Sequence, residues 1–390
     1  MVLVPKKRIE SLDLLKGLVM VIMALDHVRD YFHYSSYFFD PADPAQTTIP
    51  IFFTRFITNF CAPAFSFLAG ISAFIIGRRK SRPELARFLL QRGCWLIFVE
   101  LMIMSFGWHF DIYFHDTVFQ VIWSLGISMI FLAGLIYLPA RYILVFSCVL
   151  IFGHNLLDHI HDEGNVWWAF LHERKRFDTS PGRGFSAGYP IIPWVAVMSL
   201  GYYFGRFYNP DYDYLKRKKL FNAIGISALL LLLILRATNV YGNILPWKNY
   251  GSAARNIMSF LNLSKYPPSL SFLLSTLGVT FLFLANAENL RGKLVDFFSV
   301  FGRVPFFYYI LHIYLVHGLA MLFAEWSGFG WKAMILPLLP FRVTGLRGFG
   351  VNLVIVYLIW IAVILLLYPL CKWFDKYKQA HKDKWWLSYL

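Results

Sequence analysis

Four side chains stand out because they interrupt apolar runs: Lys16, His27, Arg303 and His312. A charged group at membrane depth costs roughly 2.5–3.5 kcal/mol on insertion scales, so it usually faces a polar cavity and marks function. In SLDLLKGLVMVIMALDHVRDYF (11–32), eleven positions separate Lys16 from His27. On a helix that is about 16 Å and about three turns. Asp13, Lys16 and His27 therefore share one face. Histidine is the default proton-transfer group near neutral pH. The spacing thus offers a His base at the outer end of a polar stripe and a lysine meeting an anion at the inner end. Asp26 adjoins His27 but points about 100° away, and Arg29 and Asp30 stand at the outer mouth. The plainer alternative makes His27 and Asp26 interfacial residues satisfied by water.

Other polar residues intrude in the same way. FFTRFITNFCAPAFSFLAGISAFIIG (52–77) carries Arg55 and Asn59, candidates for a cavity wall, beside a small-residue stretch suited to close helix packing. Gln120 and Ser124 lie one turn apart, where an interhelical hydrogen bond is the plain reading. Pro190 and Pro193 predict an irregular outer end for the run that follows. FGRVPFFYYILHIYLVHGL (301–319) holds Arg303, His312 and His317, with Pro305 kinking the helix or marking its start. His312 would lie near mid-bilayer, as a helix-to-helix hydrogen bond or a working group. Arg303 and Lys16 would form a basic inner rim, with ordinary positive-inside flanking as the alternative.

The elements that must position these residues are membrane helices. The 390-residue chain is 58% hydrophobic and only 15% charged. Soluble domains carry about 45–50% apolar and about 25% charged residues. Disorder is excluded on the same grounds. Spans are predicted at 13–30, 53–77, 88–108, 118–138, 140–158, 187–206, 219–237, 268–287, 300–324 and 350–373. Pro139 predicts a tight hairpin between the fourth and fifth. The fold expected is all-α and polytopic, one domain of about ten spans. The net charge of +15 reads as cytoplasmic flanking rather than nucleic-acid binding, because Lys and Arg concentrate on one alternate set of connections. Both termini are then cytoplasmic. No small-residue cleavage site follows the first run, which reads as retained.

Several chemistries lack their motifs: no HExxH, P-loop or GxSxG occurs. The four cysteines, Cys61, Cys94, Cys148 and Cys371, have no CxxC spacing, so neither a disulfide scaffold nor a zinc ribbon is expected. His154, His159 and His161 with Asp158 and Asp162 offer metal ligands on an outer loop, but a solvated loop is the preferred reading and no metal is expected. No paired repeat with broken helices appears, which weighs against a transporter of an anionic or lipid-linked solute, the rival reading.

The stretches 11–32, 54–70 (TRFITNFCAPAFSFLAG), 119–130 (FQVIWSLGISMI), 189–205 (YPIIPWVAVMSLGYYFG), 301–317 and 368–390 together resemble the bacterial relatives of heparan-α-glucosaminide N-acetyltransferase. The first span is also similar to that of bacterial membrane O-acyltransferases, which carry Arg, ten residues, then His. Lys16 stands here in place of the Arg, keeping the charge without the bidentate fork. The resemblance implies an enzyme of the bacterial inner membrane. It would move an acyl group, acetyl in this family, from cytoplasmic acyl-CoA to a glycan or lipid-linked sugar on the far side. It offers His27, His33 or His312 as the acting histidine, with Asp26 beside His27. Lys16, Arg303 and Arg8 would contact the phosphates of CoA, and Arg29, Arg55, Asn59, Gln120 and His33 the acceptor. The implied partners are acyl-CoA, the acceptor and the bilayer, with a homodimer left open and no nucleic acid.

Overall fold

The computed structural model describes residues 9–336 and 344–389. Its helices are α1 Glu10–Phe32, α2 Ile49–Ile57, α3 Cys61–Gly77, α4 Arg82–Phe98, α5 Ser105–His109, α6 Val121–Leu135, α7 Ala140–Gly153, α8 Val166–Leu171, α9 Ile191–Phe204, α10 Tyr214–Thr238, α11 Ala253–Leu261, α12 Leu270–Asn286, α13 Lys293–Arg303, α14 Pro305–Trp326 and α15 Leu353–Ala380. Each predicted span falls on helix. Among the described residues, six helical stretches are long and apolar enough to cross a membrane: Ile49–Gly77, Arg82–His109, Ala140–Leu157, Tyr214–Thr238, Pro305–Trp326 and Leu353–Ala380. Helices α6 and α12 are apolar but shorter. Helix α1 has the length, but carries Asp13, Lys16, Asp26, Arg29 and Asp30.

Three expectations need correction. The chain is mostly helical but not all-α. Strands β1 (Asp116–Phe119), β2 (Lys175–Ser180) and β3 (Arg183–Ala187) form a small sheet in the order β1-β3-β2, β1 parallel and β2 antiparallel to β3. Residues 118–119, assigned to the fourth span, belong to that sheet. The ninth span does not run from 300: Val304 leaves helical geometry (φ −130°, ψ 48°) and separates α13 from α14. Pro305 is the cause, since its ring disfavours helix at the preceding residue while it serves well as the first residue of a new helix. A short connection with Pro139 extended (φ −56°, ψ 142°) joins α6 to α7, and each of the two helices packs against α9.

Two apolar cores meet along α1. One joins Met20, Val21, Ala24, Leu25 and Val28 to residues of α4, α6, α14 and α15. The other joins Leu12, Leu15 and Val19 to α3, α9, α10 and α12. So α1 is buried from both sides, and its polar stripe faces the space left between. The outward faces of α10 and α15 expose Leu230, Leu233, Ile234, Leu358, Leu365 and Leu366. Such faces suit hydrocarbon rather than water.

Two glycine pairs set the closest approaches. A Cβ on Gly17 would lie 1.8 Å from the Phe298 carbonyl oxygen, and one on Gly302 1.8 Å from that of Asp13. Helices α1 and α13 therefore touch backbone to backbone, which brings Arg303 beside the N-terminal end of α1. Likewise a Cβ on Gly70 would lie 2.0 Å from the Met198 oxygen, and one on Gly201 2.0 Å from that of Phe67. That contact seats α3 on α9, as small residues permit.

Candidate active site

Asp13, Lys16, Met20, Met23, His27 and Asp30 recur every three or four residues along α1, and all line one cavity of about 680 Å³. The shared face inferred from spacing is thus realised, and Asp26 reaches this cavity too. At the end near the N-terminus of α1, Lys16 Nζ donates to Ser72 Oγ at 3.1 Å. Arg92, Arg303 and Lys378 line the same end. Arg303 Nε donates to Asp375 Oδ2 of α15 at 2.6 Å, and Gln379 holds the other oxygen at 2.8 Å. Arg8 lies outside the described residues.

At the other end His27 meets His312. Their rings are nearly parallel, with centroids 5.0 Å apart and 11° between planes, and meet edge to edge: His27 Nδ1 lies 2.7 Å from His312 Nε2. The tautomers follow from the next partner. His312 Nδ1 lies 2.9 Å from the Tyr308 carbonyl, which can only accept, so Nδ1 carries the hydrogen. In a neutral ring Nε2 is then the acceptor. His27 Nδ1 must donate to it, and the lone pair of His27 sits on Nε2. Trp108 meets the His27 ring edge-on at 4.8 Å and fixes its plane. His312 is fully buried and lines neither cavity described here.

A second cavity of about 580 Å³ adjoins the first. Arg29, Arg55, Asn59 and Gln120 line it, and Asp26, Asp30, Trp108, Gln120, Lys265 and Tyr266 line both. Asp26 lies 2.7 Å from Arg29 and 3.3 Å from Arg55, which also donates to Thr58 Oγ1 at 2.9 Å. One carboxylate thereby ties α2 to α1. Arg29 also meets Asp30 at 2.6 Å.

His33 is brought to neither cavity. Its Nδ1 accepts from the Ser35 backbone at 3.2 Å and lies 2.7 Å from Ser35 Oγ, capping the turn Tyr34–Tyr37. Burial, then the nearby charge of Arg29, push its pKa down to about 4. The histidines between His154 and His172 are also engaged internally. His154 Nε2 lies 2.8 Å from the Pro268 carbonyl, His172 Nε2 2.9 Å from Asp158, and His161 Nδ1 2.5 Å from Glu173. Among the described residues no group of three or more His, Cys, Asp or Glu is placed to hold a metal. The four cysteines are free thiols.

Sequence reasoning missed Glu100, Lys265 and Tyr266. Glu100 is buried in the π-helical stretch Val99–Met104. Its Oε2 accepts from the Trp123 backbone at 2.9 Å, so the Glu100 carboxyl group caps the first turn of α6. That fixes the first turn of α6 and, with it, Gln120. The signal was available: Glu100 interrupts the apolar run WLIFVELMIM (95–104) just as Lys16 interrupts its own. Lys265 and Tyr266 sit in a loop, where no periodicity marks them.

The family described as "Heparan-alpha-glucosaminide N-acetyltransferase, catalytic" matches residues 8–236. The match spans α1 to α10 and includes Lys16, His27, Arg29, Arg55, Asn59 and Gln120, whereas Arg303 and His312 follow it. No curated protein matches the chain. With more than half of its length matched, and with helices fit to cross a bilayer around a His-lined cavity, this chain is a membrane protein that belongs to the heparan-alpha-glucosaminide N-acetyltransferase catalytic family.

Proposed function

We propose that this protein transfers an acyl group, acetyl in the first instance, from cytoplasmic acyl-CoA to an amine or hydroxyl of a glycan or similar acceptor on the other side of the membrane. The observation that carries the reading is the single cavity leading from Lys16, Arg92, Arg303 and Lys378 to His27. A CoA thioester is anionic at one end and reactive at the other. The cationic end would hold its phosphates, and the thioester would reach His27 at the wall shared with the second cavity, which takes the acceptor. His27 Nε2 would remove the acceptor proton as the nucleophile attacks, a step typically worth about 10²–10⁴ in rate. His312 would act through His27, as a positioning residue that fixes its tautomer. Asp26 would anchor Arg29 and Arg55 against the acceptor. In this reading the chain crosses a bacterial cytoplasmic membrane ten times with both termini inside.

The test is acetyl-CoA binding to the detergent-purified protein by calorimetry, with Lys16→Ala and Arg303→Ala alongside. Saturable binding weakened by either change supports the donor site. No binding across a range of acyl-CoAs overturns it and turns attention to transport of an anionic or lipid-linked solute.

A further inference from the structure

The strongest unassigned feature is the turn Ser264–Leu270. Asn243 Oδ1 accepts from Ser264 N and from Ser269 Oγ, both at 2.8 Å. Ser269 N donates to the Ser264 carbonyl at 2.9 Å, and Asn155 Oδ1 accepts from Leu270 N at 2.8 Å. His154 meets the Pro268 carbonyl at 2.8 Å. A loop this firmly held is a platform, and what it presents is Tyr266, part of the wall common to both cavities.

The surroundings of Tyr266 suit a hydrogen-bond donor. Arg174 lies over its ring at 4.5 Å and Lys265 at 5.3 Å, and Arg55 is within electrostatic reach. The Tyr189 hydroxyl lies 3.4 Å from the Tyr266 hydroxyl. When Tyr189 donates, the Tyr266 proton is left to point elsewhere. Tyr309, whose ring meets His27 edge-on at 6.3 Å, is also within electrostatic reach of Tyr266.

We infer that Tyr266 is the oxyanion donor of the acyl transfer proposed above, on which this assignment rests. The acceptor's nitrogen or oxygen bonds to the thioester carbon, and the carbonyl pair moves onto oxygen. His27 Nε2 receives the acceptor proton. The Tyr266 O–H donates to the oxyanion without giving up its proton. The oxyanion then collapses, the C–S bond breaks, and the departing thiolate takes the proton held by His27. Fixed donors aimed at a developing oxyanion are typically worth about 10²–10³ in kcat.

The same neighbours set a pH limit. Burial raises the pKa of Tyr266, but Lys265, Arg55 and Arg174 outweigh it and bring it down to about 8. Above that value the donor becomes a phenolate that would repel the oxyanion.

The experiment is steady-state acetyl transfer by the full-length protein with Tyr266→Phe and with 3,5-difluorotyrosine at position 266. Tyr266→Phe is expected to lower kcat by about 10²–10³-fold with acetyl-CoA binding unchanged, and to lose the alkaline limb expected near pH 8 in the wild type. Difluorotyrosine, which preserves shape but is more acidic, is expected to move that limb to lower pH. An unchanged kcat in the Phe variant, a loss confined to KM, or an alkaline limb that neither variant moves overturns the assignment. A wild type that binds acetyl-CoA but transfers to no acceptor removes acyl transfer itself. Wild-type transfer with an indifferent Tyr266 removes this inference alone.

Discussion

Nδ1 of His27 and Nε2 of His312 lie 2.7 Å apart, in nearly coplanar rings that meet edge to edge and stand 285 residues apart in the chain. Because the outer nitrogen of His312 is committed to the Tyr308 carbonyl, the contact dictates which nitrogen of His27 is basic. His27→Ala is expected to lower kcat by about 10²–10⁴-fold with donor binding intact. His312→Ala should also act on kcat, by a smaller factor, since His27 can then take the unproductive tautomer. His312→Gln, which can still accept the Nδ1 hydrogen, should recover part of the loss. Steady-state kinetics of the three variants decide this, and a His312→Ala effect confined to KM would speak against a tautomer role.

The Lys16 end of the cavity makes a prediction about affinity rather than rate. Lys16→Met keeps the aliphatic stem and removes the charge. Charge-assisted hydrogen bonds contribute about 1.5–3 kcal/mol, so acetyl-CoA should bind roughly 10–100-fold more weakly, with kcat at saturation little changed. Lys16→Arg should bind near wild-type strength. Equal affinity in wild type and Lys16→Met would remove Lys16 from the donor site.

Much of this arrangement was legible in the sequence, for a physical reason. Helical spacing alone places Asp13, Lys16 and His27 on one face, and the cost of burying charge forces that face toward a cavity. The small-residue stretch ending at Gly70 likewise announced a close helix contact, met at Met198. What was not legible depends on tertiary contacts. Nothing local tells that His312 reaches His27 rather than a neighbouring carbonyl, as His317 does with Gly107 at 2.9 Å and Met334 at 2.8 Å. Tyr266 sits in a turn whose partners, Asn155, His154 and Asn243, are up to 115 residues away. The small sheet was missed because its strands are four to six residues long, and β1 joins the local β2–β3 hairpin from 68 positions away.

The glycine contact between α1 and α13 should be intolerant of even one methyl group. Gly302→Ala would place a Cβ against the Asp13 backbone, and overpacking of this kind costs about 1–3 kcal/mol or more. It should lower the melting temperature and, by shifting Arg303, weaken acetyl-CoA binding. Gly318 on α14 is the control. Nothing lies within 4 Å of its added Cβ, so Gly318→Ala should stabilise by up to about 1 kcal/mol. Thermal melts of the two variants should therefore move in opposite directions.

His33 supplies a pH dependence of stability. Its pKa falls from 6.5 in the unfolded chain to about 4 in the folded one. The unfolded state binds the proton first, so stability is full above pH 6.5 and is lost progressively as pH falls toward 4. His33→Gln retains an acceptor for Ser35 and does not titrate. Its melting temperature should fall less across that window than the wild type's, and parallel curves would show that His33 is not the group responsible.

The most direct measurement of the central claim is release of CoA thiol from acetyl-CoA by purified protein in the presence of amino-sugar acceptors, with His27→Ala run beside the wild type and acetyl-CoA binding measured on both. The account predicts acceptor-dependent turnover in the wild type, and in His27→Ala a protein that binds acetyl-CoA with unchanged affinity but does not turn it over. Undiminished turnover in His27→Ala would contradict it.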